Sequence, residues 1–358
     1  MTVQGTGSVR FFLGANSAKG FASLYGSFPD PAAGDFLWVI KGGPGCGKST
    51  FMKRIGAAAE ATGLSVEYIL CSGDPDSLDG VYLPERRVAY VDGTAPHVIE
   101  AGCPGAAALY LDLSRFLDTA ALKPHYAELR ELNVRYKAHY AEAYSLLAAG
   151  AALLPKNLPG LWGAAETEKL EKKLTALAAR ELPKQNKAGS LKKRFLSARS
   201  CMGRLRLDDT VAALCPQIFV LDNALGLAHP FLSRLAETAL ARGYDAILCP
   251  DPLEPEKAEA VLLPEAGLGF LAADSALPFR GEIYRHLRLD ATVPLSGETK
   301  ALLRQRRRES ALLLSAAEAS LARAKALHDE LEAVYHPHVD FAGLNALTEE
   351  HIHRLLDA

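Results

Sequence analysis

A chain of 358 residues has room for two domains of ordinary size. Its 49% hydrophobic and 23% charged residues suit a globular protein with a real core, and a formal net charge of −2 gives no polyelectrolyte signature pointing to nucleic acid. No run approaches the ~18 apolar residues of a membrane span, and the polar and small residues after Met1 do not read as a secretory leader. A cytoplasmic chain without membrane contact is therefore expected. The six cysteines, at 46, 71, 103, 201, 215 and 249, show no C-x-x-C pair and no zinc-ligand spacing, so reduced thiols are expected.

In chain order, the first strong signal is Phe36-Leu37-Trp38-Val39-Ile40, an apolar and aromatic run that predicts a buried strand. It leads into Gly42-Gly43-Pro44-Gly45-Cys46-Gly47-Lys48-Ser49-Thr50, which fills every fixed position of G-x-x-x-x-G-K-[ST]. Phe51, Met52 and Ile55 continue with helical spacing towards Gly63, a helix-stop residue. Strand, glycine loop and helix in this order predict a phosphate-binding loop. Its backbone N–H groups and the helix N-terminus favour an anion. Gly43, Pro44, Gly45, Cys46, Gly47, Lys48, Ser49 and Thr50 are the candidate nucleotide-binding residues. Lys48 is expected to reach the β- and γ-phosphates and Ser49 to offer its hydroxyl to Mg²⁺.

Val66–Cys71 predicts a second strand and Val88–Val91 a third, which ends in Asp92 before Gly93-Thr94. An apolar strand ending in Asp beside a phosphate loop is the Walker B arrangement, so Asp92 is a candidate Mg²⁺ residue. Between those strands, Ser72–Gly80 carries Asp74, Asp76 and Asp79. Asp-Pro is a turn former, which makes Asp74 structural; Asp76 and Asp79 stay open as groups positioning water or a substrate hydroxyl. His97, just beyond the third strand, is a candidate to orient the γ-phosphate or a base, or to position water.

Helical periodicity then runs over Tyr126–Leu154 and Glu166–Leu182. A polar, helix-breaking stretch follows, and after it the first half repeats. Residues near 10–100 lie over residues near 193–278. Phe12-Leu13-x-Ala15-x-Ser17-x-x-Gly20 returns as Phe195-Leu196-x-Ala198-x-Ser200-x-x-Gly203, Leu37–Ile40 matches Ile218–Leu221, and Phe51, Arg54, Ala59 and Gly63 fall on Phe231, Arg234, Ala239 and Gly243. Opposite the glycine loop stands Asp222-Asn223-Ala224-Leu225-Gly226-Leu227-Ala228-His229-Pro230, without the lysine, the Ser-Thr pair or most of the glycines. Opposite Asp92 the second copy has Ala272. It is expected to keep the fold and to have lost the nucleotide. Thr299–Tyr335 and Leu344–Leu356 repeat the helical part. The leucine and tyrosine stripes predict helical hairpins that pack on a sheet or on their counterpart, or else a surface for a protein partner or homo-oligomer.

The predicted architecture is α/β: a tandem duplication of a P-loop NTPase-like parallel-sheet domain, each copy followed by a helical hairpin. The boundaries are 1–182 for the active copy, 183–191 for a linker, and 192–358 for the degenerate copy. Several segments resemble an uncharacterised group of bacterial, largely clostridial and bacillary, tandem P-loop ATPases. They are Arg10–Phe12, Lys19–Phe21, Lys41–Thr50, Cys71–Gly80, Val91–His97, Leu327–Glu332 and Val339–Phe341. The resemblance implies ATP binding, with Mg²⁺, and presumed hydrolysis in the first copy. Members of that group usually carry a phosphate loop in both halves, and this chain departs from them in its second. A small-molecule kinase, or a nucleotide-sensing scaffold without turnover, are the alternative expectations. A GTPase is disfavoured, because no N-K-x-D sequence occurs.

Overall fold

The computed structural model describes residues 7–96, 98–273 and 276–356. The first half comprises β1 (Val9–Phe11), the hairpin β2 (Gly14–Ser17) and β3 (Gly20–Ser23), β4 (Phe36–Lys41), α1 (Lys48–Ala61), β5 (Glu67–Leu70), β6 (Leu78–Leu83), β7 (Val88–Asp92) and β8 (Ala108–Asp112). A short α2 (Thr119–Leu122) precedes the long α3 (Tyr126–Leu153) and α4 (Ala164–Glu181). The second half runs through β9 (Leu191–Lys193), the hairpin β10 (Ser197–Ser200) and β11 (Gly203–Arg206), α5 (Asp208–Leu214), β12 (Gln217–Leu221), α6 (Ala228–Ala241), β13 (Ala246–Pro250), β14 (Ala258–Leu263), β15 (Leu268–Ala272) and β16 (Arg285–Leu287). It closes with α7 (Gly297–Tyr335) and α8 (Phe341–Leu356).

Each half builds one six-stranded sheet. The order is β1-β5-β6-β7-β4-β8 in the first and, read from the matching edge, β9-β13-β14-β15-β12-β16 in the second. The two orders are the same topology written twice. One expectation needs correcting: the sheets are mixed, not parallel. β6 is antiparallel to both neighbours, and so is β14. The connections explain it. Only 71–77 separate β5 from β6, and only 84–87 separate β6 from β7. A parallel crossover needs a dozen or more residues, whereas antiparallel neighbours can be joined by a tight loop. Leu78-Asp79-Gly80, expected to be loop, is thus the start of a central strand.

The halves meet across a local two-fold. Phe12 N–H donates to Phe195 O and Phe195 N–H donates to Phe12 O, both at 2.9 Å, and both side chains are fully buried. Around this seam Leu13, Val39 and Val91 share one apolar cluster with Leu196, Val220 and Leu271. A buried ion pair between Arg194 and Glu67 crosses the seam, with the Arg194 guanidinium 4.8 Å from the Phe28 ring.

The helical segments form where their periodicity predicts, but they do not close into hairpins on their own halves. α3 packs antiparallel along α7. Ser310 Oγ donates to Gly150 O at 2.7 Å near one end, and Ser320 Oγ to His139 O at 3.0 Å further along. Leu129 and Leu132 meet Leu327 and Leu331 near the other end. The leucine stripes read as an internal or a partner-facing surface are therefore covered from within the chain. α4 crosses to the second half, where Leu170, Leu174 and Leu177 pack with Phe231 and Leu232 of α6. α8 crosses the other way, burying Leu344, Leu347 and Leu355 among Phe51, Met52 and Ile55 of α1. Each such leucine contributes about 2 kcal/mol of apolar burial. His351 anchors α8 further, its Nδ1 lying 3.0 Å from the Tyr90 hydroxyl amid Trp38 and Phe51. The segment 183–190 is held to the second half, with Lys187 bound to Asp245 and Glu265. No helix of the described residues is long and apolar enough to cross a membrane, and all six cysteines are free.

Candidate functional site

The first site grows out of β4. The strand ends at Lys41, the glycine loop follows, and α1 begins at Lys48 with its N-terminus against the loop. Gly45 (φ 67°) and Gly47 (φ 83°) take the left-handed conformation that lets the loop curl back over itself. Lys48 Nζ donates to Gly42 O at 3.2 Å and Gly43 O at 2.9 Å, and stands 3.6 Å from Asp92 Oδ2. Asp92 arrives there because β7 runs parallel beside β4, in a register that pairs it with Ile40. Its other oxygen accepts from Thr94 N at 2.9 Å and Thr94 Oγ1 at 2.7 Å, which fixes the carboxylate's orientation. A side chain at Gly93 would place its Cβ 2.4 Å from Val39 Cγ1, so packing excludes a glutamate directly after Asp92. Lys41 secures the segment beyond, donating to Gly93 O and Ile99 O at 2.9 Å each.

Ser49 sits one residue into α1, and its Oγ accepts from Leu78 N at 3.0 Å. Among the described residues its hydroxyl proton meets no acceptor. No direct hydrogen bond joins Ser49 to Asp92 among the described residues. Thr50 is exposed on the outer face of the helix. Cys46 is buried inside the loop, where burial pushes its thiol up from the usual range and keeps it protonated. The acidic segment divides. Asp74 closes its own turn, accepting from Ser77 Oγ at 2.9 Å, and pairs with Lys325 at 3.4 Å. Asp76 is exposed, and Lys53 Nζ bonds its backbone carbonyl at 2.6 Å. Asp79 is buried on β6 and accepts from the Tyr25 hydroxyl at 3.0 Å. His97 lies outside the described residues.

The loop is roofed by the far end of the chain. Gly45 N–H donates to Glu332 Oε1 at 3.2 Å. A Cβ at Gly45 would lie 3.1 Å from Glu332 O, one at Gly43 3.5 Å from the Tyr335 ring, and one at Gly47 2.5 Å from Leu344 Cδ2. The Gly45 amide thus meets a carboxylate from within the chain. His328 and Asp329 bring further donors to within 4.8 Å of the Glu332 carboxylate. Nothing in sequence spacing places position 332 on position 45.

The matching site of the second half is rebuilt. There Asp290 accepts from Ala224 N at 2.7 Å and Leu225 N at 3.3 Å, so the chain's own carboxylate fills the turn. His229 stands in the place of Ser49, with its Nδ1 2.7 Å from Ala258 O. Nδ1–H donates to that carbonyl, so Nε2 is the acceptor for Lys156 Nζ at 3.1 Å and Asn223 Nδ2 at 3.2 Å. Burial, followed by the Lys156 charge, lowers the His229 pKa to about 4. The lost lysine is thus answered by one from the first half's extension, whose ammonium also pairs with Asp251 at 2.7 Å and Glu254 at 3.2 Å.

Comparison of the chain with protein-family models, with curated proteins and with solved structures returned no match. The fold and the two sites are accordingly read from their own geometry.

Proposed function

We propose that the first half binds Mg·ATP at the Gly42–Thr50 loop and hydrolyses it, while the second half is nucleotide-free and regulatory or structural. The observation that carries this reading is the placement of Lys48. Its ammonium lies between the loop carbonyls and the Asp92 carboxylate, at the N-terminus of a helix whose preceding loop already donates an amide to an oxyanion. Entering phosphates would take over the loop amides and the ammonium. Ser49 and Asp92 are the oxygen donors that would hold Mg²⁺, which supplies charge neutralisation across the β- and γ-phosphates when bound. Glycine at 93 removes the usual place for a base on the β7 strand, so a water-orienting group has to come from a neighbouring element. Asp76 and His97 remain candidates for it.

The reading is tested by calorimetric titration of Mg·ATP into the purified chain, followed by a phosphate-release assay. One site per chain is expected. Lys48→Ala should abolish tight binding, and unchanged affinity in that variant would remove the site. Asp92→Asn is expected to weaken Mg²⁺-dependent binding while leaving metal-free binding nearly intact; equal losses would count against the metal role. Phosphate release with Mg²⁺ alone supports an ATPase. ADP formed only on adding an acceptor, with the phosphoryl group on that acceptor and no free phosphate, would make the protein a small-molecule kinase, and binding without ADP formation a nucleotide-sensing scaffold.

A further inference from the structure

The second half encloses a cavity of about 820 Å³ at the carboxyl ends of β12 and β15, reaching from Asn223 and His229 to the β10–β11 hairpin and α7. In open α/β sheets this crevice is where ligands bind. Four arginines line it, Arg307 from α7 and, from the β10–β11 hairpin, Arg199, Arg204 and Arg206. By the repeat that pairs Ser200 with Ser17 and Gly203 with Gly20, the counterparts of the hairpin three in the first half are Asn16, Phe21 and Ser23. The second half has therefore gained three guanidinium groups at the same place where its loop lost its lysine.

The arrangement is costly for the fold alone. Arg199 and Arg204 stand directly opposite each other across the hairpin, and like charges in that position repel. Burial and then the Arg204 charge hold the Arg199 guanidinium below its usual range. Glu318 pairs with Arg199, Glu259 with Arg204 at 3.3 Å, and Asp208 with Arg206 at 2.6 Å. These partners leave two groups unmet. Arg199 is buried, and among the described residues its Nε has no hydrogen-bond partner; nor does the buried Oδ1 of the half-buried Asn223. A buried donor and a buried acceptor without partners in one cavity are expensive unless something fills them. Asn16, by contrast, is satisfied on both sides, donating to Ser72 O and Arg199 O and accepting from Tyr144. Val220, Leu271 and Phe279 contribute an apolar part of the lining, with the Phe279 ring 5.7 Å from the Arg206 guanidinium.

We propose that this cavity is a second ligand site, taking a small organic anion whose carboxylate or phosphate meets Arg199 and whose hydroxyl or amino group donates to Asn223. A nucleoside triphosphate held as in the first half does not fit, since Ala228 stands where that half has Lys48 and Gly226 is the only glycine left in the loop. The site is independent of the nucleotide reading, and the test is run in Lys48→Ala protein to keep the two apart. Citrate and glycerol 3-phosphate, titrated separately by calorimetry, distinguish a carboxylate from a phosphate ligand. Saturable binding of either at one site per chain is expected. Arg199→Met should weaken it at least about tenfold, the usual weight of a charge-assisted hydrogen bond, and Arg199→Lys should restore part of it. Arg307, which lines the cavity from an exposed position on α7, supplies a variant safe for folding: Arg307→Ala should weaken binding about fivefold and decides the matter where Arg199→Met does not fold. Absence of saturable binding for both anions, or unchanged affinity in the Arg307→Ala and Arg199→Met proteins, overturns the proposal.

Discussion

Replacing Gly47 by alanine tests the exchange of helices and the seating of α8 on the glycine loop in one experiment. Two costs are visible. Gly47 has φ 83°, a conformation that costs an alanine about 1–2 kcal/mol. The new Cβ would also lie 2.5 Å from Leu344 Cδ2, and Leu344 is buried, so the packing has to yield. Overpacking of this kind costs about 1–3 kcal/mol. Gly47→Ala should therefore destabilise the nucleotide-free chain by about 2–5 kcal/mol. Leu344→Ala alone opens a cavity and costs about 2–5 kcal/mol. In that background, however, the alanine at 47 meets no Cδ2, and only the backbone strain remains. Urea unfolding of the four proteins should thus give a coupling of about 1–3 kcal/mol between positions 47 and 344. Additive losses would mean that α8 does not rest on the loop, and the exchanged packing would fall with it.

Two further outcomes follow from the sites. Glu332→Gln removes the charge that competes with phosphate for the Gly45 amide; since that carboxylate is 42% exposed, a gain of up to about 1 kcal/mol, or fivefold tighter Mg·ATP binding by calorimetry, is expected, and unchanged or weaker binding would show that it does not compete. The His229 pKa, lowered to about 4 from 6.5, means that the fold favours the neutral ring: its contribution is complete above pH 6.5 and is lost as pH falls from there towards 4. At roughly pH 5 the loss is about 2 kcal/mol, so the stability difference between the parent and His229→Gln, measured by urea unfolding, should narrow by that much between neutral pH and pH 5; a constant difference would refute the buried neutral ring.

Local chemistry made much of this legible. The strand Phe36–Lys41, the glycine loop and the helix from Lys48 follow from residue types within a few positions of each other, as does the end of β7 at Asp92. The repeat carried the sheet topology of one half over to the other. What sequence did not carry was distance. Leu78–Leu83 hid as a strand because its Asp and Gly look like turn formers, whereas pairing on both sides overrides that propensity. The partners of the phosphate loop, Glu332 and Leu344, lie almost three hundred residues away from it, and apolar periodicity says that a helix has a buried face without saying what covers it. Lys156 was invisible for the same reason: its role exists only because α3 delivers it to the opposite half. Asp290 and the three hairpin arginines read as ordinary surface charges until the fold gathers them around one cavity.

The traded helices have a consequence for how such a chain can exist at all. A fragment comprising 1–182 would expose the α4 face made for α6 and leave α1 uncovered, and the complementary fragment would carry the mirror deficit. Neither is a self-sufficient folding unit, although each contains a whole sheet. A shorter protein made of one half would meet its needs only by lending its last helix to an identical copy and borrowing that copy's in return. Read in that light, the present molecule is a reciprocal dimer written as one polypeptide. Its covalent join lets the two lobes differ, one carrying the glycine loop and the other a different turn at the same place, while neither can drift away from its partner.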